Sequence, residues 1–371
     1  MLRPAGFRSF IGASVGVGPV VRLIPPGYGP GVHQSRRLKQ GLAWLLGAAL
    51  GVAALVTVFL SSGGIEDVLH ALERVTLKWT LAAIAAMIVG YILLALHLRR
   101  LAQGRVSWWH AVRTDLLLFG LGNVLPGAPA PGAVLAAAEL RRAGLSVRGA
   151  RFVIAFTAWF NVRTLLGIGA VTFLVAFARE RPGLKEAGLW WLAAVGLLML
   201  LAATARMAAR PATAERAARV LARVRIGRVS ARLQDTRAAA DVWHAEAKAV
   251  VGTRANRVVL VSLAAGSWLA DAACLRLSLA AAGVNLDADV VLLAYVAGIL
   301  ASGLPLLPGG FGVVEATIPA VLHHFGAPLD AALAGTLVYR GISALLPATA
   351  GALLLTRSWV AGRSSRDRLR Q

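Results

Sequence analysis

Two apolar stretches interrupted by proline and glycine constrain this chain more than any other feature. Residues 304–315 read L-P-L-L-P-G-G-F-G-V-V-E, with two prolines, three glycines and a carboxylate in an apolar neighbourhood. Residues 123–132 read N-V-L-P-G-A-P-A-P-G in the first half of the chain. In water such runs would be ordinary loops. In a bilayer, irregular backbone must be buried in protein or line a wet cavity, because lipid cannot satisfy free N–H and C=O groups. Two such breaks, one in each half, point to a transporter-type site.

The bilayer reading rests on composition. Of 371 residues, 58% are hydrophobic and 15% charged, against about 25% charged in ordinary soluble domains. The net charge of +22 brings a nucleic-acid binder to mind. Its arginines, however, cluster between apolar runs, as membrane topology requires, so no nucleic-acid partner is expected. A single cysteine, Cys274, rules out an intramolecular disulfide and a cysteine metal cluster.

The chain reads as an all-α polytopic membrane protein. About six full spans fall at 41–60, 79–98, 151–178, 188–208, 258–282 and 328–356. Two broken helical pairs accompany them, each either a re-entrant hairpin or two broken spans. Residues 1–40 form a basic Gly/Pro-rich tail, read as disordered, or as an over-extended gene start. The membrane domain covers 41–358, and 359–371 is a second basic tail. Between 61 and 78, Ile65, Val68, Leu69, Leu72 and Val75 recur at spacings of three and four, as in an interfacial amphipathic helix. Residues 209–257 are an Arg/Ala-rich helical segment outside the membrane, lying on anionic headgroups or simply solvated.

Charge orients the spans. Segment 1–40 carries six basic residues and no acid, and 206–257 carries twelve basic and four acidic. Segments 283–290 and 323–331 carry no Lys or Arg, with two acids and one acid respectively. The bias places both termini in the cytoplasm of a cell membrane. The first break then enters from the cytoplasm and the second from outside, the arrangement of an inverted repeat. Beyond the breaks the two halves share no evident sequence identity.

Ionisable groups at membrane depth need a partner or a wet path. Here they are Asp115, Glu139, Arg163, Asp271, Arg276, Glu315 and Arg340. Glu315 falls in the first turn of the helix after the glycines, where the helix dipole and free N–H groups favour a carboxylate. Arg340 lies about 18 Å along its helix from Pro328, near mid-core. The two can pair as a buried salt bridge that fixes the fold. Alternatively Arg340, with the N–H groups of Gly309, Gly310 and Gly312, binds a lipid phosphate. Asn123 caps the broken backbone or touches substrate. Asp271 and Arg276 pair with neighbours, or Arg276 snorkels outward. Adjacent His323 and His324 point in different directions and make a poor metal pair. No P-loop and no H-E-x-x-H is present, so neither ATP-driven pumping nor zinc hydrolysis is supported, and neither cofactor nor metal is expected.

Three places resemble the flippase-like lysylphosphatidylglycerol synthase transmembrane-domain family. Pro308-Gly309-Gly310-Phe311-Gly312-Val313-Val314-Glu315-Ala316 is similar to its P-G-G-x-G-x-x-E-A signature. Asn123, Pro126, Gly127 and Gly132, followed by Arg141-Arg142-Ala143-Gly144, resemble its N-x-x-x-P-G…G…R-x-G segment. Arg340, Pro347 and Gly351 resemble its final R…P…G helix. Ala133 and Ala136 stand where many members carry an acid and an arginine. The resemblance implies a lipid-handling membrane domain without the soluble aminoacyl-transferase domain, hence no enzyme. Its substrate would be an anionic, aminoacylated or polyprenyl-linked lipid.

The expected function is therefore lipid translocation, with a substrate groove built from Asn123, Pro126, Gly127, Gly132, Pro308, Gly309, Gly310, Gly312, Glu315 and Arg340. The alternatives are a non-transporting partner of a lipid-modifying glycosyl- or aminoacyl-transferase, or a small-solute transporter. Topology has a direct check. In a Cys274→Ser background, a cysteine at Asp287 is expected to react with an impermeant thiol reagent from outside, and one at Ser230 only from inside.

Overall fold

The computed structural model describes residues 65–122, 130–179, 196, 249–302 and 310–356, and all regular structure among them is helical. In chain order α1 is Ile65–Glu73, α2 Leu77–Leu101, α3 Trp108–Asp115, α4 Ala130–Arg142 and α5 Val147–Ala178. Then come α6 Arg254–Ala281, α7 Ala288–Ser302, α8 Val313–His324 and α9 Leu329–Arg340. A π-helical turn extends α3 through Leu116–Leu121, and another, Gly341–Leu345, interrupts α9 on its way to Thr356. Among the described residues four helices are long and apolar enough to cross a membrane: α2, α5, α6 and α9 in its full extent, Leu329–Thr356. At 25 to 32 residues each they measure about 37–48 Å, more than a hydrocarbon core of about 30 Å. The outward residues of these helices, such as Ile88, Ile92, Val162, Leu174 and Val261, are exposed and apolar. On a protein in water such a surface would be a liability; against acyl chains it is the matching solvent.

Sequence boundaries move where a polar cap precedes the apolar run. Ser146 accepts from the Gly149 N–H at 3.0 Å, so α5 begins at Val147 rather than 151. Thr253 accepts from the Asn256 N–H at 3.2 Å and starts α6 at Arg254 rather than 258. The amphipathic stretch 61–78 narrows to α1, which buries Val68, leaves Leu69 exposed and packs on α9. The spans at 41–60 and 188–208, both basic tails and the segment 209–248 lie outside the described residues.

Helices α2 and α6 pack antiparallel. At one end the Thr76 N–H reaches the Ala281 carbonyl at 3.0 Å; at the other Arg100 Nη2 donates to Asn256 Oδ1 at 2.7 Å. Gly90 lets the backbones close in, since a Cβ there would sit 3.5 Å from the Ser267 carbonyl and from Ala270. The two broken segments are helical hairpins entering from opposite ends of this frame. In the first, α3 and α4 meet at the base through His110 and Glu139 and at the tip through Gly122 and Gly132. Trp108 to Gly122 covers about 21 Å of helix, less than a hydrocarbon core of about 30 Å. In the second, α7 and α8 pack face to face, with Gly298 against Ile318 and Gly310 against Ser302. Its base lies at the Ala281 end, where Arg179 at the close of α5 pairs with Asp289 at 2.9 Å.

Helix α9 ties the hairpins together. Its first half lies along α8. Its second half offers Pro347 and Gly351 to the π turn of the first hairpin. A Cβ on Gly120 would stand 2.6 Å from the Pro347 carbonyl, and one on Gly351 2.9 Å from the Leu116 carbonyl. Gly120→Ala must therefore push two backbones apart. It is expected to cost about 1–3 kcal/mol, read as a lower unfolding midpoint in detergent. Gly167→Ala, whose Cβ would meet nothing within 4 Å, is expected to leave the midpoint unchanged or raise it.

Candidate functional site

The tip of the second hairpin is built by backbone conformation. Gly310 and Gly312 have φ of 65° and 81°, values that side-chain-bearing residues rarely adopt. They turn the chain sharply enough for α8 to start inside the protein. Glu315, at the third position of α8, folds back on this turn. Its Oε2 accepts the Gly312 N–H at 2.7 Å, satisfying one of the donors a helix start leaves open. Its Oε1 accepts from Arg340 Nε, also at 2.7 Å. Both side chains are nearly buried, at 6% and 11% exposure. The Arg340 guanidinium also lies 4.7 Å from the centre of the Phe311 ring, which contributes a cation–π contact.

Behind the pair lies Asp271 of α6. Tyr295 of α7 donates to Asp271 Oδ2 at 2.8 Å, and Tyr339, next to Arg340, stacks edge-on against Tyr295 with ring centres 6.5 Å apart. Among the described residues the arrangement is thus one cation and two carboxylates, with two tyrosines, at the junction of α6, α7, α8 and α9. By helix rise, Glu315, Arg340 and Asp271 all lie about 14–17 Å from the same end of the bundle, near the middle of a core about 30 Å thick.

The first hairpin places its charges at its base. Glu139, 1% exposed, meets His110 at 2.8 Å and Arg113 and Arg142 at 3.4 Å each. The cluster locks α3 to α4. One turn deeper, Asp115 is fully buried and neither carboxyl oxygen has a hydrogen-bond partner. His97 of α2 is likewise buried with both ring nitrogens unpartnered, its ring edge-on to Phe160 at 5.5 Å. Arg163 stacks on Trp159 at 5.1 Å beside a separate apolar groove of about 770 Å³ between α5 and α6.

Of the sequence candidates, Gly310, Gly312, Glu315 and Arg340 come together at one point. Gly132 belongs to the other hairpin, packed on Gly122. Asn123, Pro126, Gly127, Pro308 and Gly309 lie outside the described residues. The Gly312 N–H, expected to face a phosphate, is occupied by Glu315. Exposed His323 bonds the Ala327 carbonyl and His324 packs on Phe325, and no metal cluster occurs among the described residues. Sequence reading missed Tyr295, Tyr339 and His97. A polar side chain within an otherwise apolar helix was the one weak signal available for them.

The family model of the lysylphosphatidylglycerol synthase transmembrane region matches residues 44–351. The chain belongs to this family. The match covers every described hairpin and span but the last five residues of α9, so the Gly310–Glu315 turn and Arg340 lie within the matched region. No curated protein matches the chain.

Removing one partner of a buried ion pair strands a charge in the interior. Arg340→Met is expected to destabilise the protein by about 3–5 kcal/mol. The double change Glu315→Met with Arg340→Met is expected to recover most of that loss. Denaturant unfolding in detergent distinguishes the two.

Proposed function

We propose that this protein is a lipid translocase of the cytoplasmic membrane, with the Glu315–Arg340 junction at the centre of the path taken by the lipid headgroup. The observation that carries the reading is a charged pair at mid-membrane depth, held where the second hairpin meets α9. A purely structural helix contact at that depth needs no arginine, because leucine and glycine pack there without desolvation cost. An arginine beside a hairpin tip can exchange its carboxylate for a lipid phosphate, since both accept the same guanidinium hydrogen bonds. Acyl chains meanwhile stay against the apolar outer faces of the spans.

Membership in a lysylphosphatidylglycerol synthase transmembrane family supports a lipid as the transported class. The substrate we propose is an anionic, aminoacylated or polyprenyl-linked lipid, carried without a chemical step. The two hairpins enter from opposite ends and both touch α9, which gives one helix a contact with each side of the membrane. Rocking of one hairpin against α9 would expose the junction to one leaflet at a time.

Reconstitution in liposomes with fluorescent lipids of several headgroups tests the reading. Wild-type protein is expected to speed lipid exchange between leaflets well above empty liposomes for at least one anionic headgroup. Arg340→Ala and Glu315→Gln are expected to slow it about tenfold or more, the effect of losing a charge-assisted hydrogen bond. Movement equal to empty liposomes across the panel would overturn the translocase reading. Undiminished movement in both variants would remove the junction from the path.

A further inference from the structure

The Glu315–Arg340 pair cancels its own charge, and Asp271 is the carboxyl left over. Oδ2 of Asp271 is held by Tyr295, while Oδ1 is buried and has no hydrogen-bond partner. The groups facing it come from three helices besides its own. Tyr295 belongs to α7, Tyr339 and Arg340 to α9, and Tyr91 to α2, where Tyr91 also feels the buried Asp115. Cys274 lies one turn further along α6. Among the described residues, Arg340 is the cation that acts on this carboxyl, and Arg340 is already bonded to Glu315.

Two carboxylates sharing one guanidinium leave an excess negative charge at a depth where lipid cannot solvate it. A proton is the smallest ligand that cancels it. We infer that Asp271 is a proton-binding site coupled to Arg340, so that a proton gradient can drive the translocation proposed above, on which this role rests. In the loaded state a proton from water resides on Asp271, the carboxyl is neutral and Arg340 stays on Glu315. When the proton returns to water, the Asp271 carboxylate competes with Glu315 for the same guanidinium. Arg340 is the last residue before the π turn Gly341–Leu345, and such turns carry a register that neighbouring α-helix does not share. A shift of Arg340 is therefore passed to the part of α9 that touches the first hairpin. Glu315, released on one side, still holds the Gly312 N–H and carries the change to the second hairpin tip.

The test uses the full chain in vesicles of phosphatidylcholine and phosphatidylglycerol containing fluorescent phosphatidylglycerol, with a pH gradient of either polarity. Wild-type exchange is expected to differ severalfold between the two polarities, and Asp271→Asn is expected to be indifferent to them. Wild-type movement that is well above empty vesicles yet identical under both polarities would overturn the inference and leave the translocase intact. A second measurement does not depend on transport. Infrared difference spectra across a pH jump are expected to show a protonated-carboxyl band that Asp271→Asn abolishes. The same band surviving in a folded Asp271→Asn protein would overturn the site. If that variant does not fold, Asp271→Glu takes its place, with a shifted band supporting the site and an unshifted band overturning it.

Discussion

Lipid offers no hydrogen bonds, and the fold is arranged around that shortage. Wherever the helix is broken, some other group must take up the freed donors and acceptors. At the second hairpin the task falls to Glu315, whose two oxygens are divided between the Gly312 backbone and Arg340. The carboxylate that repairs the backbone is therefore the one that positions the arginine. Backbone satisfaction and charge placement thus meet in a single side chain.

The same economy explains the contrast between the hairpins. The first is fastened at its base, where Glu139 gathers His110, Arg113 and Arg142 close to the membrane surface. The second is fastened at its tip, deep inside the bundle. Glu139 is buried, but His110, Arg113 and Arg142 around it keep access to water, which lowers the cost of the cluster. Charges at depth are expensive and call for a partner or a use. The first hairpin is thus anchored at its base, and among the described residues it meets α9 through Gly120 and Leu116.

Much of this was legible in the sequence, and the limits were physical. Apolar runs of sufficient length announce spans, and two Pro/Gly interruptions announce broken helical pairs, because lipid tolerates so few alternatives. The P-G-G-x-G-x-x-E-A run further identified the family that residues 44–351 belong to. Contacts between distant segments were less accessible. Glu315 and Arg340 could be matched because each lies a countable rise from a recognisable helix start. Asp271 and Tyr295 could not, since their meeting depends on how α6 and α7 are rotated about their axes. Tyrosine in an apolar helix also carries no charge to mark it as costly.

That hidden contact alters what the ion pair implies. A lone glutamate–arginine pair cancels its own charge and would make a static clasp. Adding Asp271 sets two carboxylates against one guanidinium, and that set is neutral only when a proton or a cationic ligand joins it. A phosphate reaching Arg340 would add another negative charge to the same junction. In the roles proposed above, lipid binding and proton binding at this point would compete for or recruit one another through a shared electrostatic balance, with no longer-range pathway needed to connect them. Coupling of that kind is strongest where water is scarce, and mid-membrane depth supplies that condition.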